Sequence, residues 1–285
     1  NFMKKFILLL LIILTSFNNN NLDSLKLLKD GIKVISYNIR YNNPNDGEDI
    51  WENRRSTIVN FILEEKPDFI GFQETKHNQL LYLNSKLSNY NYLGVGRDNG
   101  KTKGEYSPIF YNNFNYRLKI SNTFWLSERP NEISVGWDAS MERICSYGMF
   151  EDIKSGIKVW VFNAHFDHIG IIARKNSVDL ILSKIKELTN NDDRVIIMGD
   201  FNLGEDSEPI KKLQKYYNDV NLKIVKQNSI RGTFNNFEIN FKSMKRIDYI
   251  FQKNFTTLSS IHKELKTPKG RWASDHHPVI SVLKL

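Results

Sequence analysis

Short apolar runs of two kinds alternate along this chain, and their order outlines a fold. Lys33-Val34-Ile35-Ser36-Tyr37-Asn38 alternates as a strand does, and the turn-rich loop Asn42 to Gly47 follows it. Trp51 to Glu65 places Ile58, Phe61 and Ile62 on one helical face, and Pro67 stops that helix. Asp68 to Phe72 reads as a short buried strand and His77 to Leu87 as a second helix. In the middle, Tyr106 to Tyr111, Tyr116 to Leu126, Arg143 to Asp152 and Lys158 to Ala164 are rich in aromatic and β-branched residues, which predicts antiparallel strands and hairpins. Ile171 to Leu188 carries Val178, Ile181, Leu182, Ile185 and Leu188 at helical spacing. A strand over Val195 to Met198, a helix near Ser207 to Tyr216, and strands around Ile247 to Phe251 and Val279 to Leu283 complete the pattern. Such a mixture predicts an α/β fold in which sheets pack face to face under a cover of helices.

The first residues follow another rule. Lys4 and Lys5 precede an apolar run from Phe6 to Leu14, which reads as a secretory leader over residues 1–17 and is too short to span a bilayer comfortably. An uncleaved membrane-anchoring helix is the alternative. No Ala-x-Ala cleavage site and no lipid-accepting cysteine stand there. An Asn-rich spacer over residues 18–30 then leads to one domain over 31–285. The expectation is an exported, periplasmic or extracellular monomer with no stable membrane insertion once the leader is removed.

The formal charge of +8 becomes +6 without Lys4 and Lys5, and a basic balance suits anionic partners such as nucleic acid or a phospholipid surface. Yet no run of Lys and Arg interleaved with aromatics marks a nucleic-acid track. The lone Cys145 excludes an internal disulfide and, among apolar neighbours, is expected in the core.

Candidate chemistry gathers beside the strands. Gly199-Asp200-Phe201-Asn202 follows Val195 to Met198, and places a carboxylate and a carboxamide at a strand mouth. Asn38, Glu74, His165, Asp248, Asp275 and His276 occupy comparable positions, where side chains from separate strands can meet at one rim. Their oxygen donors suit a hard cation, Mg²⁺ or Mn²⁺, that contacts phosphate oxygens. A zinc cluster of His165, Asp167 and His168 is the alternative, although no third nitrogen or sulfur ligand lies nearby. His277, Trp51 and Trp272 are expected to pack rather than act. Ile169-Gly170-Ile171-Ile172 is the one candidate for membrane contact, and is read as helix core.

Taken together, Ser36 to Arg40, Gln73-Glu74, Asn163-x-His165, Gly199 to Asn202, Arg246-Ile247-Asp248-Tyr249 and Ser274 to Pro278 resemble the endonuclease/exonuclease/phosphatase superfamily. Tyr37 to Tyr41, Trp51 to Arg54, Phe124 to Ser127 and Gly136 to Asp138 are similar to an exported bacterial subgroup. The resemblance implies a four-layer, deoxyribonuclease I-like sandwich of two mixed, largely antiparallel sheets flanked by helices. It implies Glu74 as principal metal ligand with Asn38 and Asp275, and Asp200 and Asn202 as the pair activating water, beside a second metal if one binds. It further implies His276, oriented by Asp248, and His165, partnered by Glu105, as phosphate-facing imidazoles, with Arg143 donating to phosphate oxygens. The activity it implies is Mg²⁺- or Mn²⁺-dependent hydrolysis of phosphodiesters, nucleic acid included. The alternatives are a phosphomonoesterase, a sphingomyelinase-like headgroup hydrolase, or a non-catalytic binding protein.

Overall fold

Strand residues in this chain change chemistry along their length, and that gradient positions everything else. A computed structural model describes residues 31–221, 232–240 and 245–285; the leader and spacer expected before residue 31 lie outside the described residues. One six-stranded sheet has the order β11-β12-β1-β2-β4-β3, from β1 (Ile32–Asn38), β2 (Phe69–Gln73), β3 (Tyr90–Leu93), β4 (Ile109–Asn112), β11 (Thr256–His262) and β12 (Val279–Lys284). The other has the order β5-β6-β7-β8-β10-β9, from β5 (Tyr116–Trp125), β6 (Ile144–Asp152), β7 (Lys158–His165), β8 (Arg194–Asp200), β9 (Asn218–Asp219) and β10 (Asp248–Lys253). Each sheet is antiparallel except for one central parallel pair, β1–β2 and β7–β8. A parallel pair needs a crossover. Helix α1 (Trp51–Glu65) supplies the first and α3 (Ile171–Leu188) the second, while α2 (His77–Lys86) and α4 (Glu208–Gln214) follow β2 and β8.

Period-two geometry sorts the side chains into layers. Val34, Phe69, Val161, Ile196, Met198 and Ile250 form the core between the sheets. Their neighbours Ile35, Tyr37, Ile70 and Phe72 pack against Ile58, Phe61 and Ile62 of α1, whereas Phe162, Val195 and Ile197 pack against Val178, Ile181 and Ile185 of α3. The expected four-layer sandwich is therefore the architecture found. The helix over 51–65 ends where predicted, its C-cap Lys66 at φ 49° before Pro67. Cys145, Trp51, Trp272 and His277 are buried, in line with their expected packing roles.

The structure corrects several expectations. Strands β3, β9 and β11 carry weak signals and were not anticipated; β4 begins at Ile109, and Tyr106 makes only an isolated bridge to Thr75. Ile169, Ile171 and Ile172 are exposed rather than helix core, because α3 turns Ala173, Ser177, Val178, Ile181 and Ile185 inward. No helix among the described residues is long and apolar enough to cross a membrane.

The inner face turns polar toward one end: Val34-x-Ser36-x-Asn38, Phe69-x-Gly71-x-Gln73, Val161-x-Asn163-x-His165 and Ile196-x-Met198-x-Asp200. Gln73 Nε2 donates across the sheets to Asn163 Oδ1 at 2.7 Å, and Asn163 Nδ2 donates to Phe72 O and Pro108 O. Burying amides without partners would cost several kcal/mol, roughly 2–7; here they join the two sheets. Gly199 (φ +149°) lets β8 lie close against β7, since a Cβ there would lie 1.9 Å from Ala164 O. Gly199→Ala is accordingly expected to destabilise the fold by about 1–3 kcal/mol, read as a lower denaturant midpoint with unchanged slope; an unshifted midpoint would contradict the close packing.

Candidate active site

Strand register brings the polar ends together. His165 and Asp200 are neighbours in the parallel β7–β8 ladder, and Asp248 opens β10 directly opposite Asp200. Asn38 closes β1 opposite Gln73, so Glu74 lies one residue beyond on the same rim. Asp275 and His276 arrive from the segment before β12, where His276 bridges Phe234 and Ser274 Oγ donates to Asn38 O at 2.7 Å. Arg54 of α1, fully buried, fastens this junction: its Nη1 donates to Ile39 O and Ala273 O, both at 2.8 Å. Three non-glycine residues just beyond the strand ends, Arg40 (φ 55°), Glu74 (φ 59°) and Asn202 (φ 50°), hold left-handed backbones. Such conformations cost roughly 1–3 kcal/mol each and persist where the surroundings fix them.

The result is a cleft of about 580 Å³ lined by eight of the ten residues singled out from the sequence, with Asn38 and Asp248 bonded just behind them. His276 Nδ1 donates to Asp248 Oδ2 at 2.8 Å, and its Nε2 lies 3.7 Å from Asp200 Oδ2. Burial alone would lower the His276 pKa, but the charges of Asp248 and Asp200 outweigh it and raise it to about 10. The two aspartates thus favour the protonated ring. Burial, reinforced by Asp248, pushes Asp200 up to about 7, against the pull of His276 and of hydrogen bonds from Asn38 and Asn202. His165 behaves oppositely: burial and then the charges of Arg143 and Arg97 drive its pKa well below the usual value. A neutral His165 can accept from Asn202 Nδ2 at 3.3 Å.

Asn38 Nδ2 donates both to Glu74 Oε1 at 3.1 Å and to Asp200 Oδ2 at 3.0 Å, while its Oδ1 accepts from Arg40 N. In this arrangement the carboxamide bridges Glu74 and Asp200 as a donor. Asp275 is pushed up to about 6 by burial and, after the opposing effect of His276, by the charge of Glu74. Glu105 pairs with Arg97 at 2.9 Å and Lys76 at 3.9 Å, whereas His165 makes its contacts with Asp200 and Asn202; the expected Glu105–His165 partnership is replaced by these. Arg143 is buried, with its Nε 3.3 Å from Asp167 Oδ2 and its Nη2 2.9 Å from His168 Nδ1.

The oxygen set fits a hard cation. Glu74 opposes ionisation of the buried Asp275 even with Arg40 3.8 Å away, and the buried Asp248 Oδ1 has no hydrogen-bond partner, so the acidic end can take up further positive charge. Asp200, Asp248 and His276 present ligand atoms within 4.8 Å of one another, but one oxygen of Asp248 is taken by the His276 N–H. The zinc alternative at His165, Asp167 and His168 fails because Asp167 accepts from Ser140, Ile169, Gly170 and Arg143. Sequence reasoning missed the cationic wall of Arg40, Lys76, Arg97 and Lys245. Arg40 stood inside a quoted motif; the others lie in segments with no periodic signal.

The endonuclease/exonuclease/phosphatase family model matches residues 35–276. A mannosyl-6-phosphatase from Bacteroides thetaiotaomicron is 35% identical, with a TM-score of 0.84 over 89% of this chain and 100% of that one. An endonuclease/exonuclease/phosphatase from Bacteroides vulgatus is 34% identical, with a TM-score of 0.82 over 89% of this chain and 98% of that one. An uncharacterized protein of Acanthamoeba polyphaga mimivirus is 34% identical over 160 residues, 53% of this chain and 59% of the viral protein.

The shifted groups make a pH prediction for the metal-free chain. Asp200, Asp275 and His276 have folded-state values above their ordinary ones, so each stabilises most below the ordinary value and loses that contribution as pH rises: from 3.8 to about 7, from 3.8 to about 6, and from 6.5 to about 10. Asp167 is shifted downward by its hydrogen bonds despite burial, and its contribution is lost only as pH falls below 3.8. Burial shifts His165 and His277 downward, His277 to about 4, so their contributions grow as pH rises toward 6.5 and offset the aspartates below it. In EDTA the melting temperature is therefore expected to drop between about pH 6.5 and about pH 8, less steeply in Asp200→Asn. A rising curve in that window would contradict the charge arrangement.

Proposed function

The chain belongs to the endonuclease/exonuclease/phosphatase family, and from that premise we propose that it is an exported, divalent-metal-dependent phosphoric ester hydrolase acting first on phosphate monoesters. One observation carries the reading: the buried His276 ring is held by Asp248 at 2.8 Å and faces Asp200 at 3.7 Å, aspartates that favour its protonated form, while burial raises the Asp200 pKa to about 7. A base works best with a pKa near the working pH. Asp200 takes the proton from the attacking water, and Asn202, fixed by its N–H to Asp200 Oδ1 at 3.0 Å, orients that water. His276 donates to a non-bridging phosphate oxygen as charge builds there, and Arg143 adds a second cationic donor. Neutral His165 holds Asn202 in place rather than supplying charge.

Glu74 and Asp275 would hold the Mg²⁺ or Mn²⁺ ion, with Asp200 and Asn202 at the edge of its site. When bound, that ion stabilises developing charge on phosphate oxygens as a Lewis acid. The leader read from the sequence supports export. Similarity to a mannosyl-6-phosphatase supports a small phosphate monoester ahead of the phosphodiester that the sequence first suggested. A phospholipid headgroup is the second reading, favoured by the exposed Ile169, Ile171 and Ile172 beside His168.

Purified protein offered p-nitrophenyl phosphate, mannose 6-phosphate, bis-p-nitrophenyl phosphate, plasmid DNA and sphingomyelin, each with Mg²⁺ and with EDTA, separates these readings. Monoester turnover that EDTA abolishes is expected; turnover of sphingomyelin alone would replace the first reading with the second. Asp200→Asn and His276→Gln should each lower kcat by about two to three orders of magnitude with unchanged circular dichroism, and near-normal turnover in either would remove the assigned roles.

A further inference from the structure

We infer that Arg97, presented by the loop from Gly94 to Tyr106, forms with Arg143 an anion seat in the cleft wall that selects the additional charge of a phosphate monoester over a diester. The inference rests on the phosphoesterase reading above and adds a specificity-determining residue to it.

Arg97 is buried, lines the cleft, and is poorly satisfied. Its Nη1 pairs with Glu105 at 2.9 Å. Its Nη2 meets only the thioether of Met141 at 3.0 Å, a weak acceptor. Its Nε has no hydrogen-bond partner, the Asp98 carboxylate standing 3.8 Å away. An unsatisfied buried guanidinium N–H is costly unless a ligand supplies the acceptor. Of the groups on this wall that line the cleft, Arg97, Arg143 and Lys76 are cations and Glu105 is the carboxylate; Asp98 beside Arg97 and Asp167 beside Arg143 do not line it, and Asp167 already accepts five hydrogen bonds, one of them from Arg143. The surplus toward the cleft is positive. Arg97 and Arg143 line the same cleft, and burial and then the like charge of Arg97 lower the Arg143 pKa.

The loop is built to hold this residue still. Arg97 N donates to Glu105 O at 3.1 Å, and Arg97 O accepts from Trp125 Nε1 at 2.8 Å. Two tight approaches close the loop on itself: a Cβ on Gly96 would sit 2.2 Å from Lys103 O, and one on Gly104 (φ +83°) would sit 2.0 Å from Asp98 Oδ1. Tyr106 N donates to Thr75 O at 2.8 Å, which ties the loop to the chain just beyond Glu74. A fork fixed before the ligand arrives loses little entropy on binding it. At neutral pH a phosphate monoester carries about −1.5 to −2 charges, whereas a diester carries a single one, so a wall with surplus cations discriminates between them.

Calorimetric titration of inorganic phosphate into the protein in EDTA tests the seat apart from turnover. The wild-type chain is expected to bind phosphate, Arg97→Gln to bind it about 10- to 100-fold more weakly, and Arg97→Lys to recover part of the loss, since charge remains but the fork does not. With Mg²⁺, Arg97→Gln should also lower the ratio of kcat/KM for p-nitrophenyl phosphate to that for bis-p-nitrophenyl phosphate, chiefly through KM. No phosphate binding by the wild-type chain overturns the inference without requiring any variant to fold. Equal losses on the two esters overturn it as well. Failure of the phosphoesterase reading would instead appear as undiminished turnover in Asp200→Asn while the wild-type chain still binds phosphate and Arg97→Gln still loses that binding.

Discussion

The carboxamide of Asn38 is the link on which the site depends. It stands at the end of a strand in one sheet, and its two N–H groups reach Glu74 in that sheet and Asp200 in the other. Carboxylates brought so near one another repel, and burial sharpens the repulsion because the surrounding dielectric is low. A neutral donor between them lowers that cost without removing either charge, which leaves the acidic end competent to receive a cation. Replacing Asn38 by an aspartate would add a third acceptor where a donor is needed. Replacing it by leucine would leave two carboxylates facing each other.

Charge is sorted by position around this link. Asp200 and Asp248 flank His276, Asp275 faces Arg40 at 3.8 Å, and Arg97 and Lys76 share Glu105 on another part of the cleft wall. The two imidazoles differ because their neighbours differ: aspartates hold His276 positive, while arginines and burial hold His165 neutral. One residue type thus performs two tasks a few ångströms apart, an arrangement that follows from which sheet edge delivers which neighbour.

Much of this was legible in the sequence because strand and helix periods are strong signals and the reactive residues follow them. The alternation in Val34-Ile35-Ser36-Tyr37-Asn38 assigns Asn38 to the inner face, and the same parity places His165 and Asp200 opposite it. Short edge strands were less visible. In β3, Tyr90-Asn91-Tyr92-Leu93 gives too few alternations to count, and β11, Thr256 to His262, is mostly half-exposed polar residues stabilised by pairing with β12. Arg97 was hidden for another reason. Its position depends on glycine contacts and main-chain hydrogen bonds within a loop, which leave no periodic trace. The Glu105 assignment failed similarly, since sequence proximity to a motif does not reveal which of several cations a carboxylate will meet.

The reactive set is divided between the sheets: His276 enters from the strand order that holds β1, whereas its partner Asp248 opens a strand of the other. Chemistry therefore works as a vernier for the alignment of two slabs. Sliding one slab over the other by about 1 Å would barely disturb the greasy layer between them, yet would uncouple the 2.8 Å contact between His276 and Asp248. Substitutions in that layer, such as at Phe69 or Met198, can consequently shift this contact long before they melt the fold.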